Sequence, residues 1–450
     1  MAKFFGTDGI RGKANEVLTP EMAFILGKAA ASVLCDSSMS TSHKILIGKD
    51  TRVSGDMLEA ALAAGICSAG ASPVLLGVIP TPGVAVLCRE YGAMAGAVIS
   101  ASHNPFEDNG IKFFSGNGYK LPDLVEEKIE HLMVSPTPAP SPVGGDIGKI
   151  SYDFQSYELY LNRLREQQPL DLKGLKIVID CANGASSHMA EELFASLGAN
   201  VVAIADKPDG CNINLNCGST HIQGLASEVV RQQAQIGIAF DGDADRMLAV
   251  DEKGNILDGD FIMAICAAHM KEKNELKNNL LVVTVLSNMG LHIAMKKLGI
   301  TVSETKVGDR YILERMLELD AVLGGEQSGH LIFSKYNTTG DGLASALYLL
   351  SVIQSSGKPI SELAKVMHRL PQLMINVPVR QKAGWEDDAE IMAAYNAGKE
   401  VLAGVGRVLL RPSGTENLLR VMAEGENEEQ VKTVVEDIVE VIRKKRGIPK

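Results

Sequence analysis

Three times along this 450-residue chain an apolar, β-prone run breaks off into a short loop dense with hydroxyls, carboxylates and imidazoles. Ala95 to Ile99 leads into S-A-S-H-N-P (Ser100 to Pro105), Ile236 to Phe240 into D-G-D-A-D-R (Asp241 to Arg246), and Ala321 to Leu323 into G-G-E-Q-S-G-H (Gly324 to His330). Helical stretches alternate with strands ahead of each run: Pro20 to Leu34, Met57 to Ala69 and Pro82 to Tyr91 in the first block; Tyr152 to Arg165, His188 to Leu197 and Leu225 to Gln233 in the second; Gly259 to Lys271, Met289 to Leu298 and Tyr311 to Glu318 in the third. Alternation of this kind predicts βαβ units and a parallel-rich sheet, with ligands gathered where strands end. The repeat lies in the supersecondary plan, not in residue identity.

Boundaries follow from composition. V-S-P-T-P-A-P-S-P-V-G-G-D-I-G, from Val134 to Gly148, can form neither helix nor central strand. From about Pro371 the order changes to strand, helix Asp387 to Ala403, two strands around Arg411 to Glu416, and helix Glu429 to Arg443. The expected fold class is therefore α/β: three similar α/β domains with mixed sheets between helices (1–150, 151–254, 255–369) plus a smaller C-terminal α+β domain (370–450).

Bulk chemistry narrows the partners. Lys plus Arg number 44 against 55 Asp plus Glu, a net charge of −11, with no local basic patch, so neither a nucleic acid nor an anionic membrane is expected. Seven scattered cysteines without a C-x-x-C imply a reduced, cytoplasmic chain. Cys211, Cys217 and His221 come nearest to a zinc cluster, but without a second close pair they read as a packed loop. The N-terminal residues lack an apolar core with a cleavage signal, and no apolar run nears the roughly 18 residues of a membrane span.

The loops carry the chemistry. Asp241, Asp243 and Asp245 alternate, so their carboxylates can converge on one hard cation, most plausibly Mg²⁺ with positions kept for phosphate. A calcium hand is the rival, with Glu252 at its twelfth position, but its sixth position needs Gly and holds Arg246. Ser102 and His103 sit where a strand ends, and turns at Asn104-Pro105 and Asn109-Gly110 would bring Lys112 beside them. Capping by Ser and Asn is the plainer alternative for this stretch. Arg11, between glycines, can reach an anion, unless the start of the chain is simply mobile. Glu326, Ser328 and His330 offer mixed donors and acceptors suited to sugar hydroxyls. Arg411, Ser413, Gly414 and Thr415 make an anion nest for a monophosphate dianion, and Lys306 is a further cation. No P-loop pattern is present.

Taken together, F-G-T-D-G-I-R-G (Phe5 to Gly12), S-A-S-H-N-P with D-N-G-I-K-F-F, D-G-D-A-D-R, G-E-Q-S-G-H, T-T-G-D-G (Thr338 to Gly342) and R-P-S-G-T-E resemble the α-D-phosphohexomutase family nearly end to end. Gln327 and the T-T-G-D-G stretch tilt the resemblance toward the bacterial branch acting on glucosamine phosphates. Ser100 stands where relatives often have Thr, and Asn417 where they usually have Pro.

The resemblance implies a central active-site cleft, a phosphoserine at Ser102, and one Mg²⁺ per chain held by Ser102, Asp241, Asp243 and Asp245. It implies isomerisation of a small-molecule hexosamine phosphate: glucosamine 6-phosphate would become glucosamine 1-phosphate through glucosamine 1,6-bisphosphate, supplying amino-sugar precursors for the cell wall. Lys112 and then His330 are the expected proton-transfer groups; cations near a lysine can lower its pKa into the working range. His103 and Arg11 would steady the phosphoryl group, Glu326 and Ser328 would contact the sugar, and Arg411, Ser413, Gly414 and Thr415 would clamp the idle phosphate. A homodimer is expected. Alternatives are a phosphomannomutase or phosphoglucomutase of the same fold, a non-catalytic sugar-phosphate sensor, and a metal phosphatase.

Overall fold

The computed structural model describes residues 4–6, 8–37, 43–135, 141–404, 406–413 and 417–448. The three blocks form three separate sheets of six, five and four strands, and the C-terminal stretch forms a fourth of three. In the first sheet Lys44–Lys49 lies between parallel neighbours Ser72–Val78 and Ala95–Ile99. Ile45, Leu46, Ile47, Ala97, Val98 and Ile99 are all fully buried, which is why these strands read as unbroken apolar runs.

The first three sheets repeat one device. The strand before the polar loop is parallel to its inner neighbour and antiparallel to the strand that follows the loop. Ala95–Ile99 pairs with Asp108–Ser115, Ile236–Phe240 with Met247–Asp251, and Leu323–Gly325 with Leu331–Phe333, all antiparallel. The three polar loops are thus hairpin connections in mixed sheets. Two sequence expectations are corrected by this. Asn109 and Gly110 form no turn; they lie inside Asp108–Ser115, and the chain reverses earlier, between 100 and 107. Arg11 does not sit on a free arm, because Ile10–Lys13 pairs antiparallel with Asp108–Ser115.

Past the Pro-rich segment, Ser151–Tyr152 still pairs with Ser72–Val78 at the edge of the first sheet. The helix expected from Tyr152 accordingly begins only at Ser156 and runs to Gln167. Its Tyr160 is fully buried and donates its hydroxyl to Asp341 Oδ1 at 2.9 Å, joining the second block to the third.

The chain divides into two compact units, 1–286 with 300–366, and 287–299 with 367–450. The second has its own core: Val377, Trp385, Ile391, Leu419, Val421, Val435 and Ile438 lie between the antiparallel sheet and helices Ala389–Val401 and Glu428–Arg446. It also holds helix Met289–Lys297. Glu424, fully buried, accepts Met289 N-H at 3.2 Å, Asn288 Nδ2 at 3.0 Å and Arg407 Nε at 2.5 Å. A carboxylate at a helix N-terminus meets both the orphan N-H groups and the positive end of the helix dipole.

Candidate active site

The first hairpin holds Ser102 in a left-handed backbone conformation, φ 52°, which a non-glycine residue keeps only when its surroundings fix it. Arg52 supplies much of that fixing. Its guanidinium, itself buried, donates to Ser102 O (3.0 Å), Asn104 O (2.9 Å), Asp108 O (3.1 Å) and Pro105 O, and to Asp50 Oδ2 (2.9 Å). Asp50 accepts the Ser100 hydroxyl at 2.6 Å, and Ser100 Oγ accepts Ser102 N-H at 2.9 Å. The departure at Ser100 is explained: only its hydroxyl is used, and Thr carries one too. From the second block, Asn214 Nδ2 donates to Ser102 O (2.9 Å) and Asn104 O (3.1 Å).

The second hairpin meets the first at Ser102 Oγ, which donates to Asp241 Oδ2 at 2.7 Å. Asp241, Asp243 and Asp245 are buried, with one oxygen of each lying within 4.8 Å of the others. Burial, then Asp245 and Asp243, push the Asp241 carboxyl well above the usual carboxylate range. Asp243 Oδ1 and Asp245 Oδ1 are buried without hydrogen-bond partners. Unsatisfied carboxylate oxygens gathered so closely fit a hard divalent cation bound by oxygen. The calcium-hand reading fails, because Glu252 accepts Ser361 N-H at 3.3 Å and the Ser361 hydroxyl. Among the described residues Cys211, Cys217 and His221 do not come together as a metal group, and Cys217 accepts Asn183 Nδ2 at 3.8 Å.

Cations and bases ring this pair of hairpins. Lys112 Nζ lies 2.9 Å from Asp243 Oδ2, 3.7 Å from Asp245 Oδ2 and 3.8 Å from Asp8 Oδ2. Burial disfavours its charge, but these carboxylates outweigh burial and raise its pKa. The three carboxylates outweigh the nearby Arg11 cation, so the ammonium form of Lys112 is favoured. His103 stands 3.4 Å from Ser102 Oγ and 2.8 Å from Arg246. Burial, then Arg246 and Arg11, lower it to about 4, so it stays neutral. Arg11 pairs with Asp8, and its Nε is buried without a partner.

His330, in the third hairpin, is buried with Nδ1 3.6 Å from Asp245 Oδ2 and Nε2 3.6 Å from Asp309 Oδ2. Burial opposes its charge, yet Asp245 and Asp309 raise it to about 9. Gly340 N also lies 3.1 Å from Nε2. His330 thus stands between two carboxylates, one from the second block and one from the third. Gly340 belongs to T-T-G-D-G, and a Cβ there would lie 2.5 Å from the His330 ring. Thr338 donates to Gly118 O at 2.5 Å and Gln327 Nε2 to Asp260 Oδ2 at 3.2 Å, so both branch-marking features act in packing. Glu326 is half-buried, accepting Gly308 N-H at 3.2 Å, and Ser328 is exposed at the hairpin tip. Lys306 is exposed beyond strand Thr301–Thr305.

In the second unit Arg411 ends strand Gly406–Pro412 opposite Arg420, and Arg411 Nη2 is buried without a hydrogen-bond partner. Burial, then Arg420, lower the Arg411 pKa. Ser413 is buried, its carbonyl accepting Lys382 Nζ at 2.7 Å. Gly414 and Thr415 lie outside the described residues. Asn417 accepts Val379 N-H at 2.9 Å through its backbone oxygen, a bond that Pro could also accept.

Sequence reasoning gave no role to Asp8, Asp50, Arg52, Lys120, Arg246 or Asp309. For Arg52 a signal existed: D-T-R directly follows strand Lys44–Lys49 at the same strand-end edge as Ser102.

Models of the phosphoglucomutase/phosphomannomutase family match the chain in four segments: α/β/α domains I (2–138), II (158–254) and III (258–370), and the C-terminal domain (374–441). A phosphoglucosamine mutase from Heliobacterium modesticaldum is 52% identical over 461 residues, covering 99% of this chain and 100% of that one. A phosphoglucomutase/phosphomannomutase family protein from Burkholderia thailandensis shares the fold, with a TM-score of 0.81 at 22% identity over 99% of this chain and 98% of its own. The fold is also that of Aspergillus fumigatus N-acetylphosphoglucosamine mutase in complex with GlcNAc-6P and magnesium, with a TM-score of 0.65 at 17% identity over 99% and 97% of the two chains.

Proposed function

The chain belongs to the phosphoglucomutase/phosphomannomutase family, and from that premise we propose that it is an isomerase interconverting glucosamine 6-phosphate and glucosamine 1-phosphate through a phosphoserine at Ser102. The observation that carries the chemistry is the Ser102 hydroxyl set 2.7 Å from Asp241 inside the three-aspartate cluster, on a backbone clamped from two sheets. The substrate rests on the relatives: near-complete coverage at 52% identity favours hexosamine phosphates over mannose or glucose phosphates.

In the forward direction the Ser102 Oγ-P bond breaks as a bond forms from phosphorus to the sugar's 1-oxygen. Lys112 gives a proton to Ser102 Oγ as the phosphoryl group leaves, and the amine so formed takes the proton of the sugar hydroxyl, so the lysine ends the step as the ammonium it began. The 1,6-bisphosphate then turns over, and its 6-phosphoryl returns to Ser102. Asp241, Asp243, Asp245 and Ser102 would hold one Mg²⁺, which supplies charge neutralisation for the phosphoryl group in flight. His103, neutral, and Arg11 face the phosphoryl group; His330 keeps Asp245 in place. Glu326, Ser328 and Lys306 are assigned to the sugar, and Arg411, Ser413, Gly414 and Thr415 to the idle phosphate. The 1,6-bisphosphate would also serve as activator, recharging Ser102. We assign the four domains the bounds 1–150, 151–254, 255–369 and 370–450, and a cytoplasmic homodimer as the working form. Among the described residues no helix is long and apolar enough to cross a membrane.

The test is a coupled assay on glucosamine 6-phosphate, with intact mass recorded before and after phosphatase treatment. Wild type should gain and lose one phosphoryl mass and turn over; Ser102→Ala should do neither. Undiminished turnover by Ser102→Ala, or a clear preference for mannose phosphates, overturns the reading.

A further inference from the structure

Two charged groups outside the carboxylate cluster close a circuit through it. Lys120 Nζ lies 2.6 Å from Asp8 Oδ1 and 2.6 Å from Asp309 Oδ2. Asp309 Oδ2 faces His330 Nε2 at 3.6 Å, and His330 Nδ1 faces Asp245 Oδ2 at 3.6 Å. Asp245 Oδ2 is 3.7 Å from Lys112 Nζ, which is 3.8 Å from Asp8 Oδ2. The path returns to its start, alternating carboxylate and nitrogen group at every joint. Asp8, Lys112 and Lys120 come from the first block, Asp245 from the second, and Asp309 and His330 from the third. None of the six side chains is more than 25% exposed.

We propose that Lys120 and Asp309 are positioning residues, closing a six-membered circuit across three sheets that fixes Lys112, Asp245 and His330 for phosphoryl transfer. The proposal rests on the phosphoryl-transfer reading above. Lys120 separates two carboxylates that would otherwise face each other across one ammonium's width, in a setting where like charges are poorly screened. Asp8 gives Oδ1 to Lys120 and Oδ2 to Arg11 and, at 3.8 Å, to Lys112, so Lys120 anchors one end of a carboxylate whose other end faces the reacting lysine. Asp309 is the first residue of helix Asp309–Leu319, a rigid element whose N-terminus favours its charge. A misplacement of about 1 Å at groups that hold reacting atoms can slow a reaction by about a hundredfold.

The test is a double-mutant cycle in the full chain. Lys120→Met and Asp309→Asn should each lower kcat by about tenfold or more while KM stays within about twofold, because positioning is lost and not substrate contact. The double variant should lose no more than the worse single one, since a circuit opened once is already open. Lys120→Arg, which keeps the charge, should recover part of the loss. Multiplying losses, or a risen KM at unchanged kcat, overturns the proposal. Should Lys120→Met not fold, Asp309→Asn carries the same test, and an unchanged kcat there overturns it. Thermal unfolding of the same set needs no substrate and must show the same non-additivity. Additive losses there sink the circuit even if wild type proves inactive on glucosamine 6-phosphate, an outcome that counts separately against the proposed function.

Discussion

Arg52 is the residue on which the reactive loop depends, because one guanidinium donates to four backbone carbonyls and a buried carboxylate. Arg52→Met leaves Asp50 charged and unpaired in the interior, so we expect a loss of about 3–5 kcal/mol in denaturant unfolding, with kcat collapsing alongside. Converting Asp50 to Asn in the same chain should recover part of the stability but not the rate. The aspartate cluster makes the second prediction at this scale. Without a cation its carboxylates repel, so added Mg²⁺ should raise the melting temperature, corresponding to about 2.7 kcal/mol at a hundredfold excess over Kd. Asp243→Asn should blunt that shift, and chelation should stop turnover. Ser102 and the three aspartates were legible because their chemistry is written in adjacent letters. Lys120 was not, because its partner Asp309 is a charge 189 positions along the chain, and Arg52 was marked only by its place after a strand, since backbone carbonyls leave no mark in the sequence.

At the scale of elements, the alternation of strands and helices was readable because buried parallel strands must be apolar on both faces. The return strands were not. D-N-G-I-K-F-F-S looks like a turn by its Asn-Gly, yet pairing on both sides, with Ile10–Lys13 and Ala95–Ile99, keeps it extended. Helix Asp123–Met133 yields a pH prediction. Glu126, 14% exposed and 3.9 Å from Arg310, is raised from 4.5 to about 7 by burial, with Arg310 pulling the other way. The folded state therefore binds a proton that the unfolded chain has already released. The associated stability is fully present below about pH 4.5 and is lost as pH rises through about 7. Glu126→Gln should leave the protein progressively more stable relative to wild type between pH 5 and pH 8, read from urea midpoints.

At the scale of the molecule, the second unit takes helix Met289–Lys297 from the middle of the third block, and Asn288 and Glu424 explain why. Asn288 Nδ2 also donates to Leu370 O at 3.0 Å, and Asn288 Oδ1 accepts Leu370 N-H at 2.9 Å. A fragment ending at residue 366 keeps the helix but loses all of these partners. Hydrogen exchange should show residues 289–297 protected in the full chain and open in that fragment. The family's third segment ends at residue 370 and its fourth begins at 374, a seam drawn by descent. The grouping by packing follows another line, with the backbone passing from one unit to the other after residues 286, 299 and 366. Grafting the last eighty residues onto a cousin's scaffold would therefore hand the newcomer a foreign helix to grip, and such chimaeras should succeed only when residues 287–299 travel with them.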